Sequence, residues 1–313
     1  MLRTLGSFVL AAGLACAATP AATPTRLIPP GVSVGGIRVG GLSAEPARAR
    51  IEAAFARPIR IVFNAKTLRI GPAQVGTSAG IDAGVGSALS ATPRSRIAVP
   101  VTYSTEKIDK LVARLGHLYD RAAVDATVTG ATAAGPVFAT AKLGRAVDRK
   151  TMRAALVEVI RDGTRTPLEL MTKPVSPHRT VVNFGPAIVI TRGANTLKLY
   201  DGRHLVRTFR VATGQTVYPT PAGVWHIVDL QRNPWWRPPS SPWARGLQPI
   251  PPGPNNPLGT RWMGLDAAGV GIHGTNAPSS IGYSVSHGCI RMEVPDAEWL
   301  FEHVRLGVPV VIL

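Results

Sequence analysis

The run IHGTNAPSSIGYSVSHGCIRM, residues 272 to 292, sets two histidines and one cysteine among glycines and serines. A thiol is a nucleophile only as thiolate, and an imidazole that takes its proton makes it reactive near neutral pH. His287 stands two residues before Cys289. On a strand the two would share a face, but Gly288 between them permits a turn instead. His273 ends the strand-like VGIH and can meet the thiol across the fold. A glycine before a nucleophile also lets a tight turn aim backbone N–H groups at a developing oxyanion. The amides of Gly288 and Cys289 are therefore the candidate donors.

Other chemistries compete for the same residues. Two histidines and a cysteine are legitimate zinc ligands, but a structural site wants a fourth, and no second cysteine or close carboxylate pair accompanies them. No metal is expected. A buried histidine pair beside an inert thiol is the other alternative, and the small and polar residues around them do not resemble a core. A disulfide is excluded, because the only other cysteine, Cys16, lies in the N-terminal leader.

Around this run the chain must supply a scaffold. At 313 residues it exceeds one typical domain of roughly 100 to 200 residues, so two or three cores are expected. With 45% hydrophobic and 17% charged residues it is neither disordered nor a multi-span membrane protein. Arg3, an apolar run from about Leu5 to Ala15 and small residues after it form a secretory signal over about residues 1–22, too short to span a bilayer. Lipid attachment at Cys16 is disfavoured by Gly13, where a large aliphatic residue would be wanted. Export to the bacterial cell envelope, periplasm or wall, follows. The formal charge of +17 then calls for anionic partners such as cell-wall polymers, with nucleic acid excluded by compartment, although a solvated basic surface would look the same.

After the leader, Val32, Val34, Ile37 and Val39 alternate as short strands do, and Ser43 caps a helix with Pro46 in its first turn. Ala47, Ile51, Ala54 and Phe55 give that helix a buried face. Two stretches, LRIGPAQVGTSAGIDAGVGSAL and ATAAGPVFATAKLGRAVDRKTMRAAL, each run from Gly-Pro through an apolar segment to an aspartate. Asp82 and Asp148 are expected as N-caps of helices near 82–91 and 148–162, a weak internal duplication. A fourth helix runs from Ser104 to about Leu118.

The proline-bearing stretch 173–186 reads as a linker. Beyond it lie strands in AIVIT, TLKLYDGRHLVRTFRVATG with an Asp201-Gly202 turn, GVWHIVDL, VGIH and VPVVIL. One late helix fits 295–305, with Trp299, Leu300 and His303 inward and Gly307 ending it. Residues 232–262, rich in proline and tryptophan, read as a binding loop or lid.

Here a family resemblance enters. HGTNAPSSIGYSVSHGCIRM resembles the signature of the YkuD-type L,D-transpeptidases, and TPAGVW, NPWWRPP and NPLGTRWMGL resemble the sequences that flank it. The region before it is similar to the duplicated peptidoglycan-binding domain that often precedes that catalytic domain. The resemblance implies α+β N-terminal domains, at 28–92 and 93–180, ahead of a mostly-β, sandwich-like catalytic domain at 186–313. It implies Cys289 as nucleophile, His273 as general base oriented by a carbonyl near Gly274, and His287 as a second catalytic-site histidine. Ser286, Arg291, Trp235, Trp236 and Tyr283 would meet substrate. The implied reaction is cross-linking of peptidoglycan stem peptides, donor and acceptor, through a Cys289 thioester with release of D-Ala. No cofactor is implied, and carbapenem-type inhibitors would be ligands. An L,D-carboxypeptidase with the same nucleophile, or a wall-binding protein without activity, are the alternatives.

Overall fold

The computed structural model describes residues 25–313, so the expected leader and Cys16 lie outside the described residues. The described chain forms two compact units. One takes the residues up to His117 together with Asp148–Met171, and the other takes Leu118–Val147 with Thr172–Leu313. The chain therefore passes from one to the other after His117, Val147 and Met171.

In the first unit the apolar period works as expected. The helix Ala44–Ala56 carries Pro46 in its first turn and buries Ala47, Ile51, Ala54 and Phe55. These join Ile28, Val32, Val34, Val39, Val85 and Ala88 in one core. Further helices span Ile81–Leu89, Thr105–Tyr119 and Arg149–Arg161. Asp148 caps the last of these, its carboxylate accepting the Thr151 N–H at 3.2 Å. Ser104 Oγ accepts the Lys107 N–H at 3.2 Å at the start of its helix. Asp82 does not cap. Its helix begins after Gly80, and Asp82 sits in the first turn, paired with Arg48.

The two echoing stretches fold differently. Gly71-Pro72 opens a helical turn, Pro72–Val75, whereas Gly135-Pro136 opens a strand, Gly135–Ala139. Pro at the first helical position is favourable, and the same residue is tolerated in a two-stranded hairpin, which has edges on both sides. What they share is a short strand leading into a helix.

The second unit is built on an eight-stranded mixed sheet. Its strands are β1 (Pro186–Thr191), β2 (Thr196–Asp201), β3 (His204–Arg210), β4 (Gly223–Arg232), β5 (Arg261–Leu265), β6 (Gly271–Gly274), β7 (Ile290–Met292) and β8 (Pro309–Ile312), in the order β3-β2-β1-β8-β4-β5-β6-β7. Residues from both ends of the sheet, such as Leu199 and Phe209 on one side and Ile272 and Ile290 on the other, meet in one core. The helix Val294–His303 closes that core with Ala297 and Leu300. His303 points outward instead, exposed and stacked on Trp299 at 3.6 Å, and the helix stops there rather than at 305. The β2–β3 turn is Gly202-Arg203, one residue later than expected, because Asp201 pairs with His204 and Gly202 takes the left-handed φ of 57°.

β1 and β8 are apolar on both faces because both faces are covered. Ile188, Ile190, Val310 and Ile312 point into the main core. Ala187 and Val311 meet Phe184 and a hairpin, Thr127–Thr132 with Gly135–Ala139, through Val128 and Phe138. This explains why the compact units depart from the boundaries at 92/93 and 180. The hairpin is drawn to the β sheet by long-range apolar contact, and nothing in its local sequence announces that partner.

Candidate active site

β6 and β7 run parallel, with Ile272 opposite Ile290 and His273 opposite Arg291. Side chains alternate along a strand. Since Ile272 and Ile290 enter the core, His273 and Arg291 turn to the other face, where they line a cleft with Cys289. The cleft encloses about 1210 Å³. The neighbouring β5 sets Trp262 opposite His273, the two rings stacking at 5.9 Å. Trp262 also lies over Gly271, where a Cβ would collide with its ring, so only glycine fits beneath it. Its Nε1–H is held by Asp229 at 3.1 Å.

His273 is buried, and its Nδ1–H donates to the Gly274 carbonyl at 2.5 Å. That bond fixes the tautomer and leaves Nε2 as an acceptor. Burial holds its pKa down at about 4, with the Arg291 charge acting the same way and the Gly274 carbonyl opposing. Cys289 is partly exposed to the cleft, its thiol 3.5 Å from the Gly269 carbonyl. Burial raises its pKa, while the Gly271 N–H and the Arg291 charge favour the thiolate. Burial therefore works against the charged form of each group, the His273 imidazolium and the Cys289 thiolate.

The turn before Cys289 is pinned by Ser286. Its buried Oγ donates to the Cys289 carbonyl at 2.6 Å and accepts the Gly288 N–H at 3.1 Å. Gly288 takes φ +111°, which glycine alone adopts readily. The Gly288 amide is therefore committed to Ser286 and is not a free oxyanion donor, which corrects that expectation. The Cys289 amide remains the candidate.

His287 stands in the cleft wall, stacked on Trp243 at 4.1 Å and against Tyr218 at 5.1 Å. Burial, then Arg291, lowers its pKa. Trp235 and Trp236 also line the cleft, Trp236 through a backbone bridge to Ile250. Tyr283 does not. It is 62% exposed, outside the cleft lining, and its carbonyl accepts the Thr213 N–H. Gly274 is also outside the lining, but its carbonyl holds His273, so of the expected residues Tyr283 alone has no tie to the site.

Sequence reasoning missed Tyr218, took Trp243 only as part of the tryptophan-rich stretch 232–262, and did not single out Trp262 or Gly271. The strand pattern around RWMGL and VGIH would have found the last two had the strands been paired. It also missed Asn256, fully buried, whose amide donates to the carbonyls of Pro234, Ile250 and Pro251 at 2.8 to 3.3 Å. This one side chain ties the proline-rich loop together.

Residues 185–312 match the family model described as YkuD, the L,D-transpeptidase catalytic domain. YqjB of Bacillus subtilis, which bears an L,D-transpeptidase name, is 35% identical over 133 residues, covering 41% of this chain and 70% of that protein. YkuD of the same species, similarly named, is 35% identical over 125 residues, covering 40% of this chain and 64% of that protein. A crystallised L,D-transpeptidase of Enterococcus faecium is 19% identical, covers 85% of this chain and 98% of its own, and gives a TM-score of 0.38.

Proposed function

This chain belongs to the YkuD family of L,D-transpeptidases, and from that premise we propose that it forms peptidoglycan cross-links through an acyl-enzyme on Cys289. The observation that carries this reading is the grouping of a buried, tautomer-fixed imidazole, a thiol and a guanidinium on one face of the β6–β7 pair, open to a cleft. The Cys289 thiol gives its proton to His273 Nε2 as sulfur attacks the carbonyl that precedes the terminal D-Ala of a tetrapeptide stem. Arg291 and the Gly271 N–H favour the charge on sulfur. The imidazolium returns the proton to the leaving D-Ala amine, and a thioester remains. An amine of a second stem then attacks the thioester, losing a proton through His273 and restoring the thiol. The acyl-enzyme keeps the energy of the broken amide, so no cofactor is required. A carbapenem would acylate the same thiol.

The low pKa of His273 suits this cycle. A weak base takes the proton only as the nucleophile attacks, and as an imidazolium it is a strong acid toward the leaving amine. Ser286 supports the reading by fixing the Cys289 backbone, and Trp235, Trp236, Trp243 and Trp262 supply walls for a peptide.

The test is incubation of the mature protein with disaccharide-tetrapeptide, read by mass spectrometry beside Cys289→Ala. Cross-linked dimer with D-Ala release is expected from the wild type alone. Tripeptide without dimer would transfer the reading to a carboxypeptidase, and turnover by Cys289→Ala would remove the mechanism.

We also propose that the chain acts in the cell envelope after export by its N-terminal leader, and that the first unit holds it to anionic wall polymers. The apolar leader supports the export, and the +17 charge of the whole chain supports an anionic partner.

A further inference from the structure

Three arginines, Arg232, Arg237 and Arg291, line the cleft that holds Cys289, and among the described residues no aspartate or glutamate does. The three differ. Arg232 is paired with Glu302 at 2.8 Å and lies over the Phe301 ring. Arg237 is exposed on the proline-rich loop with no carboxylate in ion-pair range among the described residues. Arg291 is half-buried beside the Cys289 thiol, with no carboxylate in ion-pair range among the described residues. A guanidinium taken out of water costs free energy unless an anion meets it, and its fork of N–H donors fits a carboxylate in bidentate fashion. Among the described residues none supplies such an anion to Arg291 or Arg237, which leaves both cations open to an anionic ligand in the cleft.

We infer that the cleft selects anionic acyl donors, stem peptides whose carboxylates near the scissile bond are free rather than amidated, with Arg291 and Arg237 as the specificity-determining cations. This rests on the reading of the cleft as the donor site of a transpeptidase. A carboxylate and its carboxamide have nearly the same shape, so the tryptophan walls do not separate them. Charge and hydrogen bonding do, because a carboxamide turns an N–H₂ toward a guanidinium that has only donors.

The test uses two disaccharide-tetrapeptides that differ only in acid against amide on the second and third stem residues. D-Ala release is followed in wild type, Arg237→Gln and Arg291→Gln. The wild type should favour the acid by about tenfold or more in kcat/KM, a preference that shrinks with added salt and falls several-fold in either variant. Equal or reversed preference in the wild type overturns the inference. Arg237 is exposed, so its variant reports even where Arg291→Gln folds poorly.

A second readout needs no turnover. Alkylation of Cys289 by iodoacetate and by iodoacetamide is compared, each divided by its rate on a small free thiol. Both reagents attack the same thiolate, so the ratio removes any change in thiol pKa. An excess for iodoacetate in the wild type, lost in Arg291→Gln, supports the anion site. The same ratio in both proteins overturns it. An excess without turnover of either peptide would keep the anion site and remove the transpeptidase reading.

Discussion

At the scale of single residues, the site depends on one buried imidazole that stays neutral. His273 titrates near 4 in the folded protein and near 6.5 when unfolded. As pH falls through that window, the unfolded chain takes up a proton that the folded one refuses, so stability falls. The loss begins near 6.5 and is complete near 4, amounting to roughly 3 kcal/mol at 1.36 kcal/mol per unit. Urea unfolding at several pH values should show this slope in the wild type and not in His273→Gln. Parallel slopes would mean that the imidazole is not held neutral by burial. The residues themselves were legible in the sequence, because His273, His287 and Cys289 are few, reactive and close together. The directions of their pKa shifts were not, since these depend first on burial and then on Arg291, which spacing does not encode. Nor was the fate of the Gly288 amide, because the competing acceptor, Ser286 Oγ, becomes a partner only once the turn closes.

At the scale of elements, the parallel β6–β7 pair and the Trp262 ring that lies across it set the distance between base and nucleophile. Gly271→Ala should displace the ring, since a methyl has no room there. Overpacking of this kind costs about 1–3 kcal/mol. Turnover should drop at least tenfold because Trp262 also stacks on His273. A variant with wild-type activity and melting temperature would show that the ring moves freely. The helices of the first unit were readable from their apolar period, as the buried series Ala47, Ile51, Ala54 and Phe55 shows. Pairings between distant strands were not. The β1–β8 pair joins Ile188 to Val310, and no local pattern links two such segments.

At the scale of the whole molecule, charge and chain path make separate predictions. If the first unit and its cations hold the protein to wall polymers, the purified chain should pellet with isolated walls at low salt and be released at high salt. Failure to pellet at low salt would retire that role. The path matters for any fragment. The matched family region begins at 185, yet the second unit also contains Leu118–Val147, whose Val128 and Phe138 cover Ala187 and Val311. A fragment of residues 185–313 should therefore expose that apolar face and bind a hydrophobic dye more strongly than the full chain does. Equal dye binding would show that the hairpin covers little.

The same hairpin has a consequence in time. A chain made or threaded from its N-terminus presents Val128 and Phe138 well before Phe184 and Ala187, and Val311 arrives last of all. The face stays open until the final strand, β8, slots between β1 and β4. Through most of synthesis the hairpin is thus a sticky surface waiting for its lid, and a holding chaperone would have its reason to bind there.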